Sequence, residues 1–81
     1  MNIRLDRVPA LIEFLWRASE RATENSAQWL EKAACETNPE LREGWQQLAE
    51  AELDIARATQ ANADDLLAQF RAAGGEMHRK H

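Results

Sequence analysis

The 81 residues carry a net charge of −4 and a hydrophobic fraction of 44%, and their large aliphatic side chains are only nine Leu, three Ile and one Val. Such a chain forms one small domain that buries only ~60% of its unfolded surface, so we expect oligomerisation or partner binding to complete the core. The acidic balance argues against general nucleic-acid binding, which requires phosphate neutralisation, and the absence of ~18 consecutive apolar residues argues against a membrane span.

The first predicted helix runs from about residue 7 to residue 36. Asp6 to Pro9 is typical of a helix start, because proline is preorganised for the first turn. Apolar and small residues then recur at helical spacing on one face. They are Val8, Leu11, Ile12, Leu15, Ser19, Ala22, Ser26, Trp29, Leu30 and Ala33.

The second predicted helix spans residues 39–73. Asn38 is a favoured N-cap, Pro39 suits the first helical position, and the charge of Glu40 suits the first turn. Gly74-Gly75 supplies a C-cap. The alternative interpretation breaks the two helices near Asn25-Ser26 or Asn62, which would give three or four shorter ones.

A two-residue joint between long helices predicts an all-α antiparallel hairpin. Folding at Thr37–Asn38 aligns residues whose numbers sum to about 75. Large residues then meet at both ends of the hairpin. At the turn end, Trp45 lies beside Trp29 and Leu30. At the other end, Leu66 lies near Val8 and Ile12, and Phe70 reaches Leu5. In the middle, Ser19, Ala22 and Ser26 are expected opposite Glu52, Ile55 and Thr59. Asn62, beside this stripe, is a candidate for fixing register, as a buried Asn does in coiled coils.

Apolar residues outside the main stripes predict a protein interface, because exposed apolar patches with aromatic anchors mark binding surfaces. The candidate residues are Leu11, Phe14, Trp16, Leu53 and Leu67, the last two from a second line on helix two that also contains Ala49, Ala56 and Ala63. Internal burial of these residues by a broken, refolded helix is the alternative. A candidate acidic surface for a basic partner consists of Glu43, Glu50, Asp54, Asp64 and Asp65.

The domain prediction is a single helical unit over residues 1–73, followed by a flexible basic tail over 74–81 that contains His78 and His81. No catalytic constellation, metal-ligand motif or cofactor motif is present, so we expect neither an enzyme nor a cofactor. The single cysteine, Cys35, excludes a disulfide framework and favours the cytoplasm. It lies in the last turn of helix one, where the helix dipole disfavours the reactive thiolate.

These features favour a small regulator, inhibitor or adaptor that docks on a larger protein, or on itself as a homo-oligomer. A second interpretation is a self-assembling structural hairpin. Asn38-Pro39-Glu40-Leu41 and Gln69-Phe70-Arg71 resemble segments of type III secretion needle subunits, and the resemblance implies a filament of helical hairpins. The chain departs from that pattern in its shorter second helix, its acidic turn region and the ten residues after Arg71. A third interpretation is a membrane-surface or nucleic-acid accessory protein, which the acidic middle of the chain opposes.

Overall fold

The computed structural model describes residues 5–77 and shows two long helices in an antiparallel hairpin. A short 3-10 turn, Leu5–Arg7, leads into helix α1, Val8–Cys35, and helix α2 follows at Pro39–Ala72. The predicted all-α hairpin is confirmed, with helix ends within one residue of those expected. Both helices are continuous, so the alternative with breaks at Asn25-Ser26 or Asn62 is wrong.

Side chains on both sides of the turn hold it in place. Asn38 caps α2, since its Oδ1 accepts from the backbone N–H groups of Glu40 (2.9 Å) and Leu41 (3.3 Å). The Arg42 guanidinium donates twice to the backbone carbonyl of Glu36, just beyond the end of α1, at 3.1 and 2.9 Å. The turn therefore satisfies backbone groups that the two helix ends would otherwise leave unpaired.

Two hydrogen bonds between the helices fix their register. Ser19 Oγ donates to the carbonyl of Ala56 at 3.0 Å, and Ser26 Oγ donates to the carbonyl of Ala49 at 2.9 Å. Both pairs sum to 75, so the predicted alignment is confirmed. Near the turn the rings of Trp29 and Trp45 stack with centroids 5.3 Å apart, which confirms that predicted contact.

The face that α2 turns towards α1 differs from the prediction. Ser19 and Ser26 lie against the alanine line instead of against Glu52, Ile55 and Thr59. Ile55 is 53% exposed, and Asn62 is also exposed, so neither sets the register. The buried contact consists of small residues at intervals of seven, which we call the inner seam: Ser19, Ser26 and Ala33 of α1, and Ala49, Ala56 and Ala63 of α2.

Small side chains explain this choice. A helix face with Ala or Ser at every seventh residue lets the partner backbone approach closely, because no side chain holds the two cylinders apart. Only at short separation can a serine hydroxyl, one bond from Cβ, reach a carbonyl of the opposite helix. A face of Ile55 and Glu52 would keep the helices too far apart for those bonds.

The large buried side chains collect at the end of the hairpin away from the turn. The cluster contains Val8, Ile12, Trp16, Ala63, Phe70 and Met77, with Leu15, Leu66 and Leu67 packed against it. The predicted approach of Leu66 to Val8 and Ile12 agrees with this cluster. The predicted contact between Phe70 and Leu5 depends on a side chain outside the described ones.

The chain folds back after α2. The N–H of Gly75 donates to the carbonyl of Phe70 and that of Gly74 to Arg71, both at 3.0 Å, with Gly74 at φ 94°. This is a Schellman C-cap, which requires a left-handed residue and therefore favours glycine. It returns Met77, only 8% exposed, to the core. The packed chain thus continues beyond residue 73, where the sequence predicted the tail to begin; residues 78–81, with both histidines, lie outside the described part.

The hairpin is a plate only one helix thick. Its extents are 54 × 27 × 15 Å and its radius of gyration is 16.8 Å, against ~12 Å for a compact domain of this length. No helix within residues 5–77 is long and apolar enough to cross a membrane.

Candidate protein-binding surface

The five residues predicted to form an interface do not share one surface. Leu11 and Phe14 are 44% and 65% exposed, whereas Trp16 is only 7% exposed and belongs to the core cluster. Leu53 and Leu67 are half-buried. The prediction that Trp16 belongs to an exposed interface is therefore wrong, because Trp16 is buried in the core cluster that also contains Ala63.

Large exposed apolar side chains nevertheless concentrate on one side of the plate. Six such residues occur in the described chain, and five of them follow two lines that border the same edge of the inner seam. We call this surface the open flank, and it consists of Leu11, Phe14, Leu41, Leu48 and Ile55. The sixth, Leu30, lies two heptads after Trp16, on the other side of α1.

Contacts near the turn show that the two lines share a side. Lys32 is three heptads after Leu11, and its Nζ lies 5.0 Å from the ring centroid of Trp29 and 5.1 Å from that of Trp45. Trp45 in turn borders a shallow apolar depression with Leu41 and Leu48. The α1 line that contains Leu11 therefore runs along the same flank as the α2 line.

At its turn end the open flank is built from aromatic and aliphatic side chains around a glycine. Leu41, Trp45 and Leu48 surround Gly44, which has nothing within 4 Å of the position a Cβ would occupy. The ammonium of Lys32 over the two stacked rings is a cation–π arrangement. This end offers an apolar surface into which a side chain from another molecule could insert.

The opposite flank is more polar. Thr23 and Gln60 line a groove there, beside the half-buried Leu53. At its border Arg57 pairs with Asp54 at 3.6 Å, with both side chains 77% exposed. An exposed pair of this kind contributes little to stability. The open flank is more apolar than the opposite flank, so it is the stronger candidate for a binding surface.

The five predicted acidic residues are all exposed but do not form one patch. Glu43, Glu50 and Asp64 lie on one line at multiples of seven residues, and Arg57 occupies the gap in that line. Asp64 and Asp65 accept hydrogen bonds from Gln60 and Gln69 of the same helix at 3.0 and 3.1 Å. The charge is therefore spread around the outer side of α2 and gives a diffuse field.

Within residues 5–77 no group of three or more His, Cys, Asp or Glu side chains is arranged to hold a metal ion. Cys35 is a free, exposed thiol. No family model, curated protein or solved structure matches the chain.

Leu41, Leu48 and Ile55 are the flank residues that the sequence prediction missed. Their signal is present in the sequence as an uncharged line with alternating spacings of three and four residues. It consists of Leu41, Gly44, Leu48, Ala51, Ile55 and Ala58. This spacing is typical of a helix that packs against another helix, and we call the line the outer seam.

Proposed function

We propose that this protein is a non-enzymatic protein-binding module, a regulator or adaptor that docks on another helical chain through its open flank. The observation that carries the proposal is the gathering of five of the six exposed large apolar side chains of residues 5–77 on that flank. Single scattered apolar residues are normal on a protein surface, but their concentration on one side indicates an interaction site.

The free energy of binding depends on covering all five side chains of the open flank at once. Covering the exposed half of a Leu, Ile or Phe side chain contributes ~1 kcal/mol, so the five residues contribute ~5 kcal/mol and the matching apolar surface of the partner a similar amount. Association costs at least ~4 kcal/mol in lost freedom of motion. One charge placed in the patch should therefore abolish binding. The exposed free thiol of Cys35 is compatible with a reducing compartment, which favours the cytoplasm.

Site-specific photo-crosslinking in the native cell tests this function. A photoreactive amino acid replaces Leu48 on the open flank or, as the matched control, the neighbouring exposed Gln47, which points ~100° away around the helix. We expect covalent adducts from position 48 and not from position 47. The additional change Ile55→Glu should abolish them, while Ala68→Glu on the back of α2 should leave them. Equal adducts from both positions, or none from position 48, would contradict the proposal.

The second candidate function is a self-assembling structural hairpin. It is favoured by the two packing faces of α2, which carries an inner and an outer seam along the same stretch of helix. In the crosslinking experiment this function would give a ladder of adducts at successive multiples of the chain mass instead of a single band.

A further inference from the structure

The outer seam of α2 repeats the packing pattern that already joins α2 to α1. Its small residues, Gly44, Ala51 and Ala58, recur at intervals of seven, as Ala49, Ala56 and Ala63 do in the inner seam. Its large residues, Leu41, Leu48 and Ile55, recur at the same interval and are 45–53% exposed. A helix with a second seam of this kind has a place for a second neighbouring helix.

The angle between the two seams matches a four-helix bundle. At ~100° per residue, the outer seam lies ~100° around α2 from the inner seam. In a four-helix bundle each helix contacts two neighbours at about a right angle around its axis. One neighbour of α2 is α1 of the same chain, and the outer seam faces the position of the other.

Within residues 5–77 each helix of the hairpin has only one helical neighbour, so a second layer of helices is absent. A second hairpin laid on the open flank would convert a plate 15 Å thick into a bundle two helices thick.

The order of residues in the outer seam selects a second copy of this chain as the occupant. The seam is nearly symmetric about Ala51. When an identical helix runs in the opposite direction, Ala51 meets its own copy, Gly44 meets Ala58, and Leu48 meets Ile55. Small residues thus face small ones and large face large in the layers between Gly44 and Ala58, as in a self-complementary two-fold interface. Leu41 has no large counterpart, because the same alignment places it opposite Asn62.

We propose that two copies pair through the outer seam with antiparallel α2 helices and a two-fold axis beside Ala51, forming a four-helix bundle. The inference rests on the proposed function, since it identifies the chain that the open flank binds. Two features oppose the pairing. Leu41 meets the polar Asn62, and Glu52 is brought beside its own copy, where like charges repel. Glu52→Gln should therefore tighten the dimer several-fold, an effect that a partner without this symmetry would not produce.

Light scattering and disulfide trapping on the purified full chain test the pairing. In a Cys35→Ala background, we expect a mass of twice the chain. Ala51→Cys should form an interchain disulfide on oxidation, because the two thiols meet at the axis. Ala58→Cys is the matched control. The same geometry separates its two copies by 14 residue rises, ~21 Å, beyond the ~7 Å that a disulfide spans between Cα atoms.

A substitution that separates the dimer without unfolding the hairpin completes the test. Ile55→Glu should raise the dissociation constant at least ~100-fold, since it places a charge in the interface. Circular dichroism should show unchanged helicity, because Ile55 is 53% exposed and lies outside the core cluster. Ala68→Glu should leave the mass unchanged. A folded monomer at all concentrations overturns the pairing. A dimer that does not trap at position 51 overturns its antiparallel geometry. Flank-specific photo-adducts only to a larger protein, from a monomeric hairpin, would overturn the pairing and leave the proposed function standing.

Discussion

Enlarging one residue of the inner seam should be far more damaging than the chemistry of the substitution suggests. Ala49 is 1% exposed, and its carbonyl accepts the Ser26 hydroxyl at 2.9 Å. In Ala49→Leu, three added carbon atoms must enter a contact that has no room for them, and overpacking of this kind costs ~1–3 kcal/mol. Forcing the helices apart also breaks the serine bond, which contributes ~0.5–1.5 kcal/mol. We expect a loss of ~2–4 kcal/mol in the free energy of unfolding.

Urea denaturation followed by far-ultraviolet circular dichroism measures this loss, at one fixed protein concentration because association shifts apparent stability. The control is Ala68→Leu, the same substitution at an exposed position of the same helix, where the change should stay within ~0.5 kcal/mol. Each kcal/mol corresponds to ~4–8 °C in Tm for a domain of this size, so the seam variant should melt at least ~8 °C lower. Equal stability of the two variants would refute the close approach of the helices.

Three further substitutions test other contacts by the same denaturation assay. Ser19→Ala removes the hydrogen bond to the carbonyl of Ala56 and should cost ~1 kcal/mol; no loss would mean that this bond does not hold the register. Asn38→Ala removes the cap of α2 and should cost ~1 kcal/mol, whereas Thr37→Ala beside it should be neutral. Gly75→Ala should destabilise the protein, because the new Cβ would overlap the ring of Phe70. Unchanged stability there would show that the segment after α2 is not packed.

The ends of the helices and their pairing were predictable because the signals are local. Asn38-Pro39 at one junction and Gly74-Gly75 at the other act through hydrogen bonds within a few residues. The short joint between them leaves an antiparallel hairpin as the simplest arrangement. Register then follows from matching residue sizes across the turn, as the stacked rings of Trp29 and Trp45 show.

The face of α2 was not predictable in the same way, because two lines of residues compete for it. Counting apolar area favours the large residues, such as Leu48 and Ile55, over Ala49 and Ala56. The structure buries the alanines, since their small size brings the backbones close enough for serine hydroxyls to bond across the helix pair. The same choice leaves the large residues outside, and it therefore determines which surface is open for binding.

The sequence by itself thus determined the helix ends, their caps, the turn and the antiparallel alignment, all of which depend on local hydrogen bonding and chain length. It left open whether the two helices are continuous. Only the tertiary structure decided which side of each helix is buried, that Trp16 and Met77 belong to the core, and that the exposed apolar residues share one flank. Those outcomes depend on how closely two backbones approach, a distance set jointly by side chains far apart in the chain.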